Sequence, residues 1–163
     1  MANIKDLVAD VNSDEVYYEE AVKETLIEPG TYEADIVGLR RKLNTKTKAG
    51  YKCDIYWPRY KIAEDSPKSA NRLVRDRGQF RFNSPEARNK NIYYKKFLDA
   101  ARIPLEEKEK DGKIMYLLPS ISADMIEGKK ALINVYHEEW SDSNGYHKES
   151  VAKLLEIISD VKY

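Results

Sequence analysis

The chain has 163 residues, 28 basic and 28 acidic side chains, a sequence pI of 6.8 and one cysteine. That length suits one domain with its own core. A lone Cys53 excludes an internal disulfide, and no apolar run reaches the roughly eighteen residues that suggest a membrane span.

The balanced charge is sorted by position. Residues 1–35 carry two basic and ten acidic side chains, residues 36–102 eighteen and six, and residues 103–163 eight and twelve. A strongly cationic middle segment favours a polyanionic partner in spite of the neutral total. Met1–Asp6 has neither a basic n-region nor an apolar h-region, so a cytoplasmic protein with no membrane partner is expected.

Residues 1–28 read as an acidic N-terminal arm, partly disordered or a short helix over Glu15–Leu26. Pro29-Gly30 is turn punctuation, and the domain is expected over residues 29–163. Thr31–Arg40 alternates as a strand, with Tyr32, Ala34, Ile36 and Gly38 on one face. Gly38 marks a bulge or sharp bend. Arg41–Gly50 reads as a mobile basic hairpin loop. Tyr51–Ile62 is the second strand: Tyr51, Cys53, Ile55 and Trp57 share a face until Pro58, after which Tyr60 and Ile62 become the apolar set. A polar loop over Ala63–Arg72 leads to a third strand, Leu73–Asn83. Its period of two places Arg75, Arg77, Gln79 and Arg81 on one side and Val74, Gly78, Phe80 and Phe82 on the other.

Ser84-Pro85-Glu86 is a helix start, and the helix is expected to run to about Arg102, with Ile92, Tyr93, Phe97, Ala100 and Ala101 along its apolar stripe. Ile103-Pro104 ends it. Glu106–Lys113 reads as a charged loop, Ile114–Leu118 as a short strand, and Ser120–Glu127 as a short helix or turn closed by Gly128. Lys130–Trp140 is a strand, and Ser141–Gly145 a hairpin turn in which Asn144-Gly145 supplies positive φ. This register sets Trp140 opposite His147 and His137 opposite Ser150, so the two histidines do not meet. Val151, Leu154, Leu155 and Ile158 match a helical period, while the turn before them favours a returning strand, which is the reading taken.

Chemistry-bearing motifs are sparse. Seven scattered glycines form no phosphate-cradling loop. Cys53, mid-strand, reads as a buried structural thiol, and two separated histidines make no zinc site. Glu106-Glu107-Lys108 has the look of an acid-x-lysine nuclease fragment but sits in a run of alternating charge. No catalytic residue, metal or cofactor is expected. What remains is a band of cations interleaved with rings, the pattern of a groove that tracks phosphates while aromatic side chains stack on bases. Its members are Arg40, Arg41, Lys42, Lys46 and Lys48 in the first hairpin; Lys52, Tyr56, Trp57, Arg59, Tyr60 and Lys61 on the second strand; and Arg72, Arg75, Arg77 and Arg81 in or beside the third. Tyr56, Trp57 and Tyr60 are the stacking candidates. Arg59, Lys61, Arg75, Arg77 and Arg81 are the phosphate contacts, and Arg40–Lys48 a flexible clamp. Ile55, Phe80 and Phe82 read as core.

Three strands, a helix and a closing hairpin follow the order of a five-stranded OB barrel with its helix between strands three and four. The runs Pro29-Gly30-Thr31-Tyr32-Glu33, Ala49-Gly50-Tyr51, Arg77–Asn83, Phe97–Pro104, Gly128–Val135 and Gly145–Val151 sharpen it. Together they resemble a bacteriophage family of small OB-fold proteins, long listed as a domain of unknown function and associated with single-stranded DNA binding in phage replication and recombination. The resemblance spans about residues 28–157. It implies a mainly β fold, a non-enzymatic single-stranded DNA binder without sequence preference, a host-cell cytoplasmic location, oligomers or replication and recombination proteins as further partners, and a strand over Val151–Ile157. The chain departs from the pattern in its rich Arg/Tyr set over Tyr56–Arg81 and its mildly charged C-terminus, Ile158–Tyr163. The rival readings are a protein-interaction or accessory phage module, a metal-dependent nuclease, and a duplex or RNA binder.

Overall fold

The computed structural model describes residues 26–159, so the acidic arm and its helix over Glu15–Leu26 lie almost wholly outside the described residues. Ile27 is already buried. Its N–H donates to Ser150 Oγ (2.8 Å) and its carbonyl meets His137 Nε2 (2.7 Å).

The elements are β1 (Gly30–Lys46), β2 (Lys52–Ile62), β3 (Leu73–Asp76), β4 (Gln79–Phe82), a 3₁₀ stretch (Pro85–Asn91) running into α1 (Ile92–Ala100), β5 (Glu106–Lys110), β6 (Lys113–Leu117), α2 (Ala123–Ile126), β7 (Lys130–Asp142) and β8 (Gly145–Ser159). The fold is mainly β. Antiparallel pairings join β1 to β2, β2 to β3, β7 to β8 and β7 to β1, and a short parallel contact joins β3 to β8. The pairings therefore return to their starting strand. β4 continues on β2 after a break, and β5–β6 form a separate hairpin. The core fills the inside of this sheet, with Phe97 and Leu98 of α1 and Ile126 of α2 packed into it.

Register slips curve the sheet. β1 slips between Ile36 and Gly38, where Gly38 marked a bend, and again between Lys42 and Thr45. β2 itself keeps one phase throughout: Asp54, Tyr56, Pro58, Tyr60 and Ile62 are all buried. The phase change expected at Pro58 is thus absent from β2 and occurs in its neighbours. Pro58 sits level with the gap between β3 and β4, where a missing N–H breaks no ladder bond there.

That gap corrects the third strand. Leu73 faces Lys61 and Gln79 faces Tyr56, six steps along the third strand against five along β2. The extra residue falls at Arg77-Gly78 and reverses the alternation. Val74 and Asp76 point inward before it and Gln79 after it, while Phe80 is turned out to 40% exposure. Phe80, half-buried Phe82 and half-buried Ile55 are therefore not core.

Four further expectations change. Arg41–Gly50 is strand as far as Lys46, because Lys42–Lys46 pair with Lys52–Ile55; only the turn after Lys46 is loop. Glu106–Lys110 is a strand, since Asp111 and Gly112 both take positive φ (53° and 75°) and fold the segment onto β6. The helix begins as 3₁₀, its buried stripe is Tyr94, Phe97, Leu98 and Ala101, and Ile92 and Tyr93 are exposed. Ser84 makes no cap; its Oγ accepts the Lys52 N–H (3.0 Å). The β7–β8 register is as expected, with Trp140 opposite His147 and His137 opposite Ser150, and residues 151–158 are strand.

The break is held by one buried carboxylate. Asp76 is fully buried and accepts from Tyr60 OH (2.7 Å), the Gly78 N–H (2.9 Å) and Gln79 Nε2 (2.9 Å). Burial nonetheless pushes its carboxyl above the usual range, outweighing donors that favour the ionised form. Folded Asp76 therefore holds its proton more tightly than unfolded Asp76. This contribution to stability is fullest below the unfolded pKa of about 3.9 and is lost as pH rises through the raised native value. Asp76→Asn is expected to flatten the fall in denaturation midpoint with pH that begins at about pH 4. Equal slopes in the two proteins contradict the raised value.

Candidate nucleic-acid interface

Directly paired residues share a face, so the outward surface of the sheet can be read from its register. Arg40 lies opposite Trp57, Lys42 opposite Ile55, Ile55 opposite Phe80, and Cys53 opposite Phe82. The Arg40 guanidinium stands 5.1 Å from the Trp57 ring centroid. Phe80 and Phe82 stack at 6.1 Å with 21° between planes, and Tyr51 meets Phe82 edge-on at 6.5 Å. Gly78, at φ +109°, lets the indole lie against the break; a Cβ there would sit 3.1 Å from Trp57 Nε1.

Helix α1 completes the surface. Among the described residues β4 has no strand on its outer side, and Asn91 covers that edge by accepting the Phe82 N–H (2.7 Å) and donating to its carbonyl (3.0 Å). This bidentate contact sets Lys90 5.8 Å from the Tyr51 ring and brings the exposed Tyr93 alongside, with Lys96 5.9 Å from its centroid. Between β4, α1 and β7 lies a cleft of about 520 Å³, lined by Arg77, Phe80, Phe82, Lys90, Tyr93, Tyr136 and Glu138 among others. Arg77 Nε is buried there without a hydrogen-bond partner, and burial raises the Tyr136 phenol. A cleft with ring walls and a cationic rim suits a flat, anionic ligand.

The expected contacts fall into two groups. Arg40, Lys42, Lys46, Lys48, Lys52, Arg59 and Lys61 are exposed, as is Arg41 although it also reaches the fold, and Trp57 is half-exposed on the outward face. Arg72 is half-buried in the loop before β3. The remainder serve the fold. Tyr56 is fully buried, stacks on Tyr94 at 5.7 Å and hydrogen-bonds Ser120 Oγ (2.7 Å). Tyr60 is fully buried on Asp76, and burial drives its phenol pKa well up. Neither ring is open to a base, because β2 never changes phase. Arg41 donates to the Ile121 carbonyl (3.2 Å), and Arg81 to the Leu118 carbonyl (2.9 Å) and to buried Asp54 (3.0 Å). Arg75 is clasped by Glu149 at 2.8 and 2.9 Å with Glu138 3.7 Å away. The arginine row is thus dispersed: Arg75 is paired on the outer face, Arg77 lines the cleft, and Arg81 points inward after the slip.

Phe80, Phe82, Lys90, Tyr93 and Tyr136 were not among the expected contacts. The signal for them was Gly78, a glycine inside a strand, which carries the same message as Gly38. A second aromatic group sits at the β7–β8 tip, where Trp140 stacks on His147 at 5.2 Å and Tyr146 is exposed. Cys53 is buried, and burial raises its thiol. Glu106, Glu107 and Lys108 lie on the exposed β5, and among the described residues no three His, Cys, Asp or Glu side chains converge to hold a metal. Among the same residues no helix is long and apolar enough to cross a membrane.

Comparison with protein-family models, curated proteins and solved structures gives no match to this chain.

Core and surface rings separate by stability. Tyr56→Ala is expected to cost about 3–5 kcal/mol and Phe80→Ala under about 1 kcal/mol in denaturant unfolding, because only the first opens a cavity. Comparable losses in the two variants would overturn the assignment of Phe80 to the surface.

Proposed function

We propose that this chain is an OB-fold protein that binds single-stranded DNA without sequence preference, in replication or recombination of bacteriophage DNA as its sequence resemblance implies. The wiring supports the fold: five pairing partners in a cycle, a helix between the third strand and β7, and a closing hairpin. OB domains take oligonucleotides on the face of strands two and three and on the flanking loops. In this chain that face is the outward side of β2 and β4.

The observation that carries the reading is the outward Phe80–Phe82 stack beside Trp57, with Phe80 exposed, Phe82 half-buried and Arg40, Lys42 and Lys90 around it. A phenylalanine turned to solvent forgoes burial that would stabilise the fold, and base stacking returns that loss when a strand is bound. Phosphates fall to Arg40, Lys42, Lys46, Lys48, Lys52, Arg59 and Lys61, the exposed cations of β1 and β2 and the turn between them. Tyr56, Tyr60, Arg41 and Arg81 act by holding the scaffold.

Titration with oligo-dT tests this. Binding is expected at about 50 mM salt and weakens steeply as salt rises, since each neutralised phosphate releases counterion. Phe80→Ala and Phe82→Ala are each expected to weaken binding by about 1–3 kcal/mol with little change in salt slope. Lys42→Ala is expected to lower the slope by about one contact. No binding at low salt sinks the reading.

A further inference from the structure

A second groove, of about 780 Å³, runs between β6 and the 3₁₀–α1 segment and shares only its Phe82 wall with the aromatic cleft. Ile114, Met115, Tyr116 and Leu117 all line it. Successive residues of a strand point to opposite faces, so four in a row along one groove mean that it follows the strand's edge. β5 pairs with one edge of β6; among the described residues the other edge is unpaired. That edge is unusually apolar for an open one. Ile114 is 64% and Leu117 61% exposed, and facing Ile92 is 51% exposed. β5 carries the alternating charges that blunt an edge, whereas β6 has none between Lys113 and its end. The opposite wall supplies Arg88 and Lys95, the latter paired with Asp99 (2.9 Å) outside the groove, and no acidic residue lines the groove itself among the described residues. The ligand such a groove fits is an extended segment that is both acidic and apolar.

The chain carries one outside the described residues. Glu15-Val16-Tyr17-Tyr18-Glu19-Glu20 is a β-branched and aromatic run flanked by acids, and no basic residue occurs between Asp6 and Val22. It also reaches. Leu26 lies beside Arg59 and Leu73. Phe82, in the groove, pairs with Cys53, six residues from Arg59 along β2, or about 20 Å. The six residues from Leu26 back to Glu20, where the segment begins, span up to about 20 Å.

We propose that the free edge of β6 is the docking site of this chain's own segment Glu15–Glu20. The segment adds to the β5–β6 hairpin as a third strand, its tyrosines on the apolar wall and its acids against Arg88 and Lys95. This assignment stands apart from DNA binding and is tested without DNA.

A nitroxide on Glu20→Cys in the full chain tests it, since buried Cys53 is shielded from the reagent. The amide signals of residues 114–117 are expected to be lost through paramagnetic broadening and to return when Tyr17→Ser and Tyr18→Ser are added. A mixture of spin-labelled unenriched chain with unlabelled ¹⁵N chain is expected to show no such loss. A second label at Asp14→Cys, at the other end of the segment, is expected to broaden the same strand. No broadening from either label overturns the proposal. So does equal broadening in the mixture, which assigns the groove to a second copy, and so does broadening that persists without the tyrosines.

Discussion

Asp76 and the three donors around it set the form of this protein. A fully buried carboxylate needs its lone pairs filled, and Tyr60, Gly78 and Gln79 fill them only if the chain turns sharply just after Asp76. Gly78 makes that turn at φ +109°, a conformation costly for any residue with a Cβ. The turn takes up one extra residue, and one residue is enough to exchange the two faces of everything downstream. Gln79 enters the interior and Arg81 turns to the inward side, half-exposed, while Phe80 and Phe82 leave it. The outward aromatic stack is therefore a product of a buried hydrogen-bond node on the other side of the sheet.

The inward turn of Arg81 has its own use. Residues 118–121 cross one end of the sheet without regular structure, and their polar groups need partners. Arg81 takes the Leu118 carbonyl, Tyr94 the Pro119 carbonyl (2.6 Å), Tyr56 the Ser120 hydroxyl and Arg41 the Ile121 carbonyl. Four side chains from β1, β2, β4 and α1 tether four consecutive residues. Tyr56 and Arg81 look like ligand contacts by composition, yet each is committed to this crossing, which Arg41 reaches from an exposed position. The cationic middle of the chain thus divides into arginines that close the fold and exposed side chains, most of them lysines, on β1, β2 and the turn between them.

What was legible in the sequence follows from where the alternation is unbroken. β7 and the first half of β1 have simple periods, and Asn144-Gly145 sets the last hairpin register to the residue. The helical look of residues 151–158 has no counterpart in the strand: Val151 and Leu154 are buried on opposite faces, and Leu155 and Ile158 are exposed. β8 slips by one between Leu154 and Glu156, so the inward residues there are Leu154 and Ile157 instead. The same slip type hid the site, because period-two reasoning across Gly78 assigns every ring and every arginine after it to the wrong face. The strand at Glu106–Lys110 was concealed differently: its charges suggest a loop, and only Asp111-Gly112 signals the hairpin.

Phe82 links the two surfaces. It stacks on Phe80 in the cleft and also walls the groove along β6, and Asn91 fastens its backbone to the start of α1. On the two proposals, a ligand in either place meets the same ring, and any coupling in affinity between them must be equal in both directions. Electrostatics gives the sign. Residues 1–25 hold seven acidic and two basic side chains. Docked on β6, their acids come within the span of Arg88, Lys95 and Phe82, where they oppose a phosphate backbone directly. On the two proposals together, occupation of the groove and occupation of the cleft are mutually unfavourable, and the acidic end of the chain restrains the basic surface only while it is docked.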